Sequence, residues 1–192
     1  MKVFRMLLAA SVAALTSLAS SVYAGVPVTA ESVKNIPYHP VIKGSSDKVE
    51  VRSIKLVNGM YEKGRRFVDR DYEFLRVGQV ALGDLNGDGK ADAAVVLYHM
   101  AGDHRMTQLA VVLDVNGTPR HAASREFGEF TEVMDLRCST SPVSDRKTGL
   151  VAKKGAVNVE VSNETCCGGQ GKTVTYIFDG TRLLGQDPFA KQ

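Results

Sequence analysis

Three dipeptides punctuate the chain: Asn58-Gly59, Asn116-Gly117 and Asp179-Gly180. Each adjoins apolar runs that alternate with polar residues. A two-residue turn of this composition takes positive φ at its centre, which folds two strands back on one another as an antiparallel hairpin. The alternation is clearest in Val157, Val159 and Val161, set around Asn158 and Glu160, and in Val174, Tyr176 and Phe178 among Thr173, Thr175 and Ile177. Residues 72–82 and 93–98 flank a polar loop, and 106–115 run directly into Asn116-Gly117. Short strands joined by tight turns predict a mainly β fold, a single domain built as an antiparallel meander sheet or sandwich with little helix. Residues 121–127 read equally well as helix or strand. Val49 and Val51 alternate with charged residues, and the apolar phase then shifts to Ile54 and Leu56, as a bulge would cause. No repeat of about 20–50 residues is visible, which argues against a propeller or solenoid.

The ends of the chain read differently from this grammar. Residues 1–24 combine a basic start at Lys2 and Arg5, a short apolar stretch, and Val22-Tyr23-Ala24 ahead of Gly25. That three-part pattern predicts a secretory signal peptide cut after Ala24. A membrane anchor needs about 20 strongly apolar residues, whereas this run is interrupted by Ser11, Thr16 and Ser17. The leader is bacterial in style, so a periplasmic or secreted protein is expected. Residues 25–47 carry Pro27, Pro37, Pro40 and Gly44-Ser45-Ser46, and read as an extended lead-in with at most a helical turn near 30–34. The β domain is expected over residues 48–187.

Charge narrows the partners. The formal net charge is +3, and removing the leader with its two basic residues leaves 22 basic against 21 acidic side chains. A nucleic-acid binder needs a concentrated basic face, and none is visible. One local cluster stands out, Lys63, Arg65, Arg66 and Arg70 around Tyr61 and Phe67. It reads as a solvated hairpin arm or as a patch for an acidic surface such as envelope phospholipid or polymer.

Cys138, Cys166 and Cys167 all lie beyond the leader. Export favours oxidation, and a bond between neighbouring cysteines distorts the peptide, so a bridge from Cys138 to either Cys166 or Cys167 is the easier geometry.

One motif carries chemistry: Gly83-Asp84-Leu85-Asn86-Gly87-Asp88-Gly89-Lys90-Ala91-Asp92. Calcium takes six to eight oxygens at about 2.3–2.6 Å, and oxygens on alternate residues of a curled loop converge on one point. Asp84, Asn86 and Asp88 supply side-chain oxygens at that spacing, Lys90 its backbone carbonyl, and Asp92 closes the set. Gly87 and Gly89 permit the curl. An EF-hand would need a bidentate Glu where Val95 stands, and helices on both sides. Asp92 instead leads into the β-prone run Ala93-Ala94-Val95-Val96-Leu97. The alternative, an empty hydrophilic turn, leaves three carboxylates close together without a cation.

This strand, loop, strand pattern resembles the FG-GAP and VCBS type of repeat in integrin-like propellers and bacterial surface proteins, with one copy here. A broader succession resembles a family of small exported bacterial proteins of uncharacterised function. It runs through Val33 to Tyr38 in sequence, Ile54 to Tyr61, the loop, Leu109-Ala110-Val111-Val112-Leu113, and Cys166-Cys167 ahead of Thr175-Tyr176. Members of that family carry a Gly-Gly-Ser-Gly turn and a Pro after the double Cys; this chain has Ala101-Gly102-Asp103-His104 and Gly168 instead. The resemblance implies an exported β domain carrying an ion, and names no reaction.

Other candidates are weaker. His39, His99, His104 and His121 are scattered, with His99 and His104 read as exposed turn residues. Gly168-Gly169-Gln170-Gly171-Lys172-Thr173 imitates the end of a phosphate-binding loop but has Cys166 where Gly is required. Glu126 with Glu129, or Glu132 with Asp135, could pose as a glycosidase pair, though such pairs arise by chance in a chain this acidic. The expectation is a monomeric, non-enzymatic binding or envelope accessory domain with calcium as its cofactor and an envelope or extracellular ligand. The competing expectation is a small periplasmic hydrolase whose catalytic residues are not local in sequence.

Overall fold

A computed structural model of the chain describes residues 26–43, 49–102, 104–129, 131–139, 155–163 and 171–185. The leader at 1–24 lies outside them, as do Cys166 and Cys167, the partners expected for Cys138. The first described stretch forms a 3-10 turn at Ser32–Asn35 and four short strands, β1 (Pro37–Tyr38), β2 (Val41–Lys43), β3 (Val49–Val51) and β4 (Ile54–Lys55). The large sheet is then built from β5 (Met60–Lys63), β6 (Glu73–Gly83), β7 (Asp92–Ala101), β8 (His104–Asp114) and β9 (Pro119–Glu129). The described chain closes with β10 (Thr131–Cys138), β11 (Ala156–Asn163), β12 (Lys172–Phe178) and β13 (Leu183–Leu184).

The fold is mainly β, as expected, and every paired strand runs antiparallel. Strands β5 to β9 form a five-stranded meander in chain order, and β10 to β13 a four-stranded one. The two sheets pack face to face through Ala94, Val96, Leu109 and Val111 on one side and Val133, Val157, Val159 and Tyr176 on the other. The opposite face of the larger sheet, with Ala93, Val95, Leu97, Ala110 and Val112, is covered by Val33, Ile36, Tyr38, Ile54 and Leu56. Strand β7 is therefore buried on both faces, which is why its sequence is a continuous apolar run and does not alternate. Each fully buried Val or Leu here contributes about 1.5–3 kcal/mol.

Two local expectations change. The stretch read as an extended lead-in supplies buried Val28, Val33, Tyr38 and Ile42 to this second core, so it is a working layer of the domain. The phase shift before Ile54 marks a break, since β3 pairs with β2 and β4 with β1, and Arg52-Ser53 between them belongs to neither strand. Residues 121–127, ambiguous in sequence, belong to β9. Among the described residues no helix is long and apolar enough to cross a membrane.

Candidate metal centre

The Asp-rich loop connects β6 to β7, whose last rungs pair Leu82 with Ala93 and Gly83 with Asp92. Strands flank it on both sides, and Val95, the twelfth position of an EF-hand loop, is fully buried in the core. Asp84, Asn86 and Asp88 curl the loop through their own side chains. The Asp84 carboxylate accepts from Gly87 N–H at 2.7 Å and Gly89 N–H at 3.0 Å. Asn86 Oδ1 accepts from Asp88 N–H at 2.9 Å, and Asp88 Oδ1 from Lys90 N–H at 2.8 Å. Gly87 and Gly89 take φ of +82° and +86°, so the curl uses the freedom that only glycine supplies cheaply.

Asp92 sits differently from the other three. It is fully buried, and its carboxylate accepts three backbone N–H groups, from Leu85 at 2.9 Å, Asn86 at 3.3 Å and Asp114 at 2.9 Å. Those bonds join both ends of the loop to the end of β8. Burial, aided by the Asp88 charge, holds the Asp92 carboxyl above its ordinary value despite these donors. Lys90 reaches toward the end of β8, its Nζ lying 3.5 Å from Asp114 Oδ1.

The second sheet braces the base of the loop. Gly155, just ahead of β11, has φ of +62°, and a Cβ there would overlap the Asp84 carbonyl oxygen. A Cβ on Gly83 would lie 2.6 Å from Cys138 Cβ. Cys138, at the end of β10, donates its thiol to Ala81 O at 3.4 Å, and burial pushes that thiol up to about 11.

The donor set suits a hard cation. Carboxylate, amide and carbonyl oxygens surround the tip, and each side-chain oxygen that accepts one N–H keeps a second lone pair. Among the described residues no three His, Cys, Asp or Glu side chains are gathered into one metal-holding group. Asp84, Asn86, Asp88 and the Lys90 carbonyl would hold the ion, and Asp92 would fix the loop that presents them through its bonds to Leu85, Asn86 and Asp114.

Long-range pairings invisible in the sequence lie elsewhere. His99 is buried on β7, with Nε2 2.9 Å from Glu73 Oε1, and Arg52 bonds the other Glu73 oxygen. The expectation of an exposed turn at His99 is thus corrected: alternation along β7 turns it inward beneath the N-terminal layer. His104 is exposed. His39 and His121 meet with their Nδ1 atoms 3.3 Å apart. Asp135 is held by Arg137 at 2.6 Å. The side chain of Glu129 and residues 168–170 of the Gly-rich stretch fall outside what is described.

No family model matches the chain, and comparisons with curated proteins and with solved structures return no match.

Proposed function

We propose that the protein is an exported calcium-binding β domain that works as a non-enzymatic binding or envelope accessory module. The observation that carries this reading is the β6–β7 loop. It places Asp84, Asn86 and Asp88 at alternate positions of a curled hairpin tip, next to a third carboxylate, Asp92, whose bonds already tie the loop to the end of β8. A cation there would neutralise the Asp84 and Asp88 charges, since Lys90 is turned toward Asp114. It would act as a clasp on the Leu82 and Ala93 strands, stabilising a fold whose other surfaces do the binding.

A hydrolase would need a base and an orienting partner open to substrate. Glu73 and His99 have that chemistry, yet each is 3% exposed and Glu73 is also bonded by Arg52. Their placement favours a role in holding the N-terminal layer.

Thermal unfolding in EDTA and in calcium tests the proposal. With calcium ten- to a hundredfold above its dissociation constant, mass action stabilises the fold by about 1.4–2.7 kcal/mol. That corresponds to a rise of roughly 3–10 °C. Asp88→Asn keeps the acceptor for Lys90 N–H, removes one charge, and should lose most of the rise. An unchanged midpoint in the parent protein would refute calcium binding.

A further inference from the structure

The turn between β5 and β6 holds apolar side chains out into solvent. Phe67 is 89% exposed and Val68 63% exposed. A Phe so placed adds nothing to the hydrophobic core, and it stands at φ of +65°, a region that bulky residues seldom occupy. The turn is nevertheless firmly built. Asp69 Oδ2 accepts from Arg65 N–H at 2.8 Å, and the N–H groups of Val68 and Asp69 both donate to Arg65 O, at 3.1 and 3.0 Å. The tip is a fixed display rather than a loose end.

Cations surround it in two classes. Lys63 and Arg65 are paired with Asp71 and Asp69, at 2.9 and 3.7 Å. Among the described residues, Arg66, Arg70 and Arg105 have no carboxylate partner within ion-pair distance. The Arg66 guanidinium lies 4.6 Å from the centre of the Phe67 ring. Together these three arginines line a cavity of about 520 Å³ beside the tip, with Tyr72 and Met100 in its wall. The site thus offers unneutralised positive charge directly next to an exposed apolar point.

A surface that is anionic outside and apolar just beneath satisfies both halves. We propose that this turn docks on a bilayer containing anionic phospholipid, with Phe67 and Val68 entering the boundary between headgroups and acyl chains while Arg66, Arg70 and Arg105 meet the phosphates. A soluble polyanion would engage the arginines but would leave Phe67 and Val68 in water. The inference names a partner for the binding module proposed above and rests on that reading, but not on its calcium site.

The test is sedimentation of the purified protein with vesicles of phosphatidylcholine alone and of phosphatidylcholine mixed with phosphatidylglycerol, in EDTA so that no calcium bridges form. Binding is expected only to the mixed vesicles and should weaken as salt rises. Phe67→Asp should reduce it to background, and Arg66→Gln or Arg70→Gln should each weaken it roughly fivefold. All three side chains are exposed, so the melting temperature of each variant should match the parent. Failure to bind mixed vesicles overturns the proposal, as does binding that Phe67→Asp leaves intact. Equal capture by soluble polyphosphate, insensitive to Phe67→Asp, would also overturn it in favour of a polymer. Because EDTA is present throughout, a negative result here leaves the calcium proposal standing, and a protein unresponsive to calcium can still bind vesicles.

Discussion

Asp88 and Asp92 look alike in the sequence, four residues apart in one acidic loop, but they do different work. Asp88 is exposed and closes a local turn onto Lys90 N–H. Asp92 is buried and satisfies the N–H groups of Leu85, Asn86 and Asp114 at once, joining two hairpins through one carboxylate. Leaving a buried donor without an acceptor costs about 1–3 kcal/mol. Asp92→Ala strands several, so in EDTA it should lower stability by about 3–5 kcal/mol. Asp88→Ala should cost at most about 1 kcal/mol under the same conditions, because water replaces the lost acceptor. Denaturant unfolding of the two variants checks the contrast; equal losses would show that Asp92 is only another loop side chain. Spacing identified the acidic positions, but it could not rank them, since burial of Asp92 depends on Asp114, which arrives with β8.

At the scale of elements, the turn chemistry was legible and the pairing it serves was only partly so. Asn116 and Gly117, at φ of 54° and 77°, close β8 onto β9 as their composition demands. Asn58 and Gly59 make the same turn, with reciprocal bonds between Val57 and Met60. The arms then separate, β4 pairing with β1 in the N-terminal layer and β5 joining the large sheet beside β6. Local rules fix a turn, whereas long-range burial decides a strand's neighbour. Gln108 shows the same limit. It is fully buried on β8, and its amide both donates to Val41 O at 2.7 Å and accepts from Val41 N–H at 2.9 Å. An amide set directly before the apolar run Leu109 to Leu113 is the one signal that could have flagged it. Gln108→Leu preserves the bulk and leaves both Val41 groups unpaired, so a loss of about 2–4 kcal/mol is expected. Faster amide exchange at Val41 than at β7 amides would place that loss at β2.

Across the whole molecule, the N-terminal layer is tied to the large sheet by apolar contact and by two ionisable links. Both links join groups far apart in sequence, 82 residues for His39 and His121 and 21 for Arg52 and Glu73, which is why no motif announces them. They also respond to acid in separate windows. Burial, with the His39 charge adding to it, pushes His121 down to about 4 from 6.5. The unfolded chain therefore takes up a proton there before the folded one does, and stability falls as pH drops from 6.5 to about 4. At about 1.36 kcal/mol per pKa unit the full loss approaches roughly 3 kcal/mol. Glu73 responds in a lower range. Burial raises its carboxyl, but the bonds from Arg52 and His99 outweigh burial and hold it below 4.5, so its contribution is intact above that value and is lost as pH falls through the folded value. Melting curves between pH 7 and pH 3 should consequently decline in two stages. His121→Gln should flatten the upper stage and leave the lower one, while Arg52→Gln should shrink the lower stage alone. A variant of His121 that retained the full decline above pH 4.5 would show that the upper stage does not arise from this histidine.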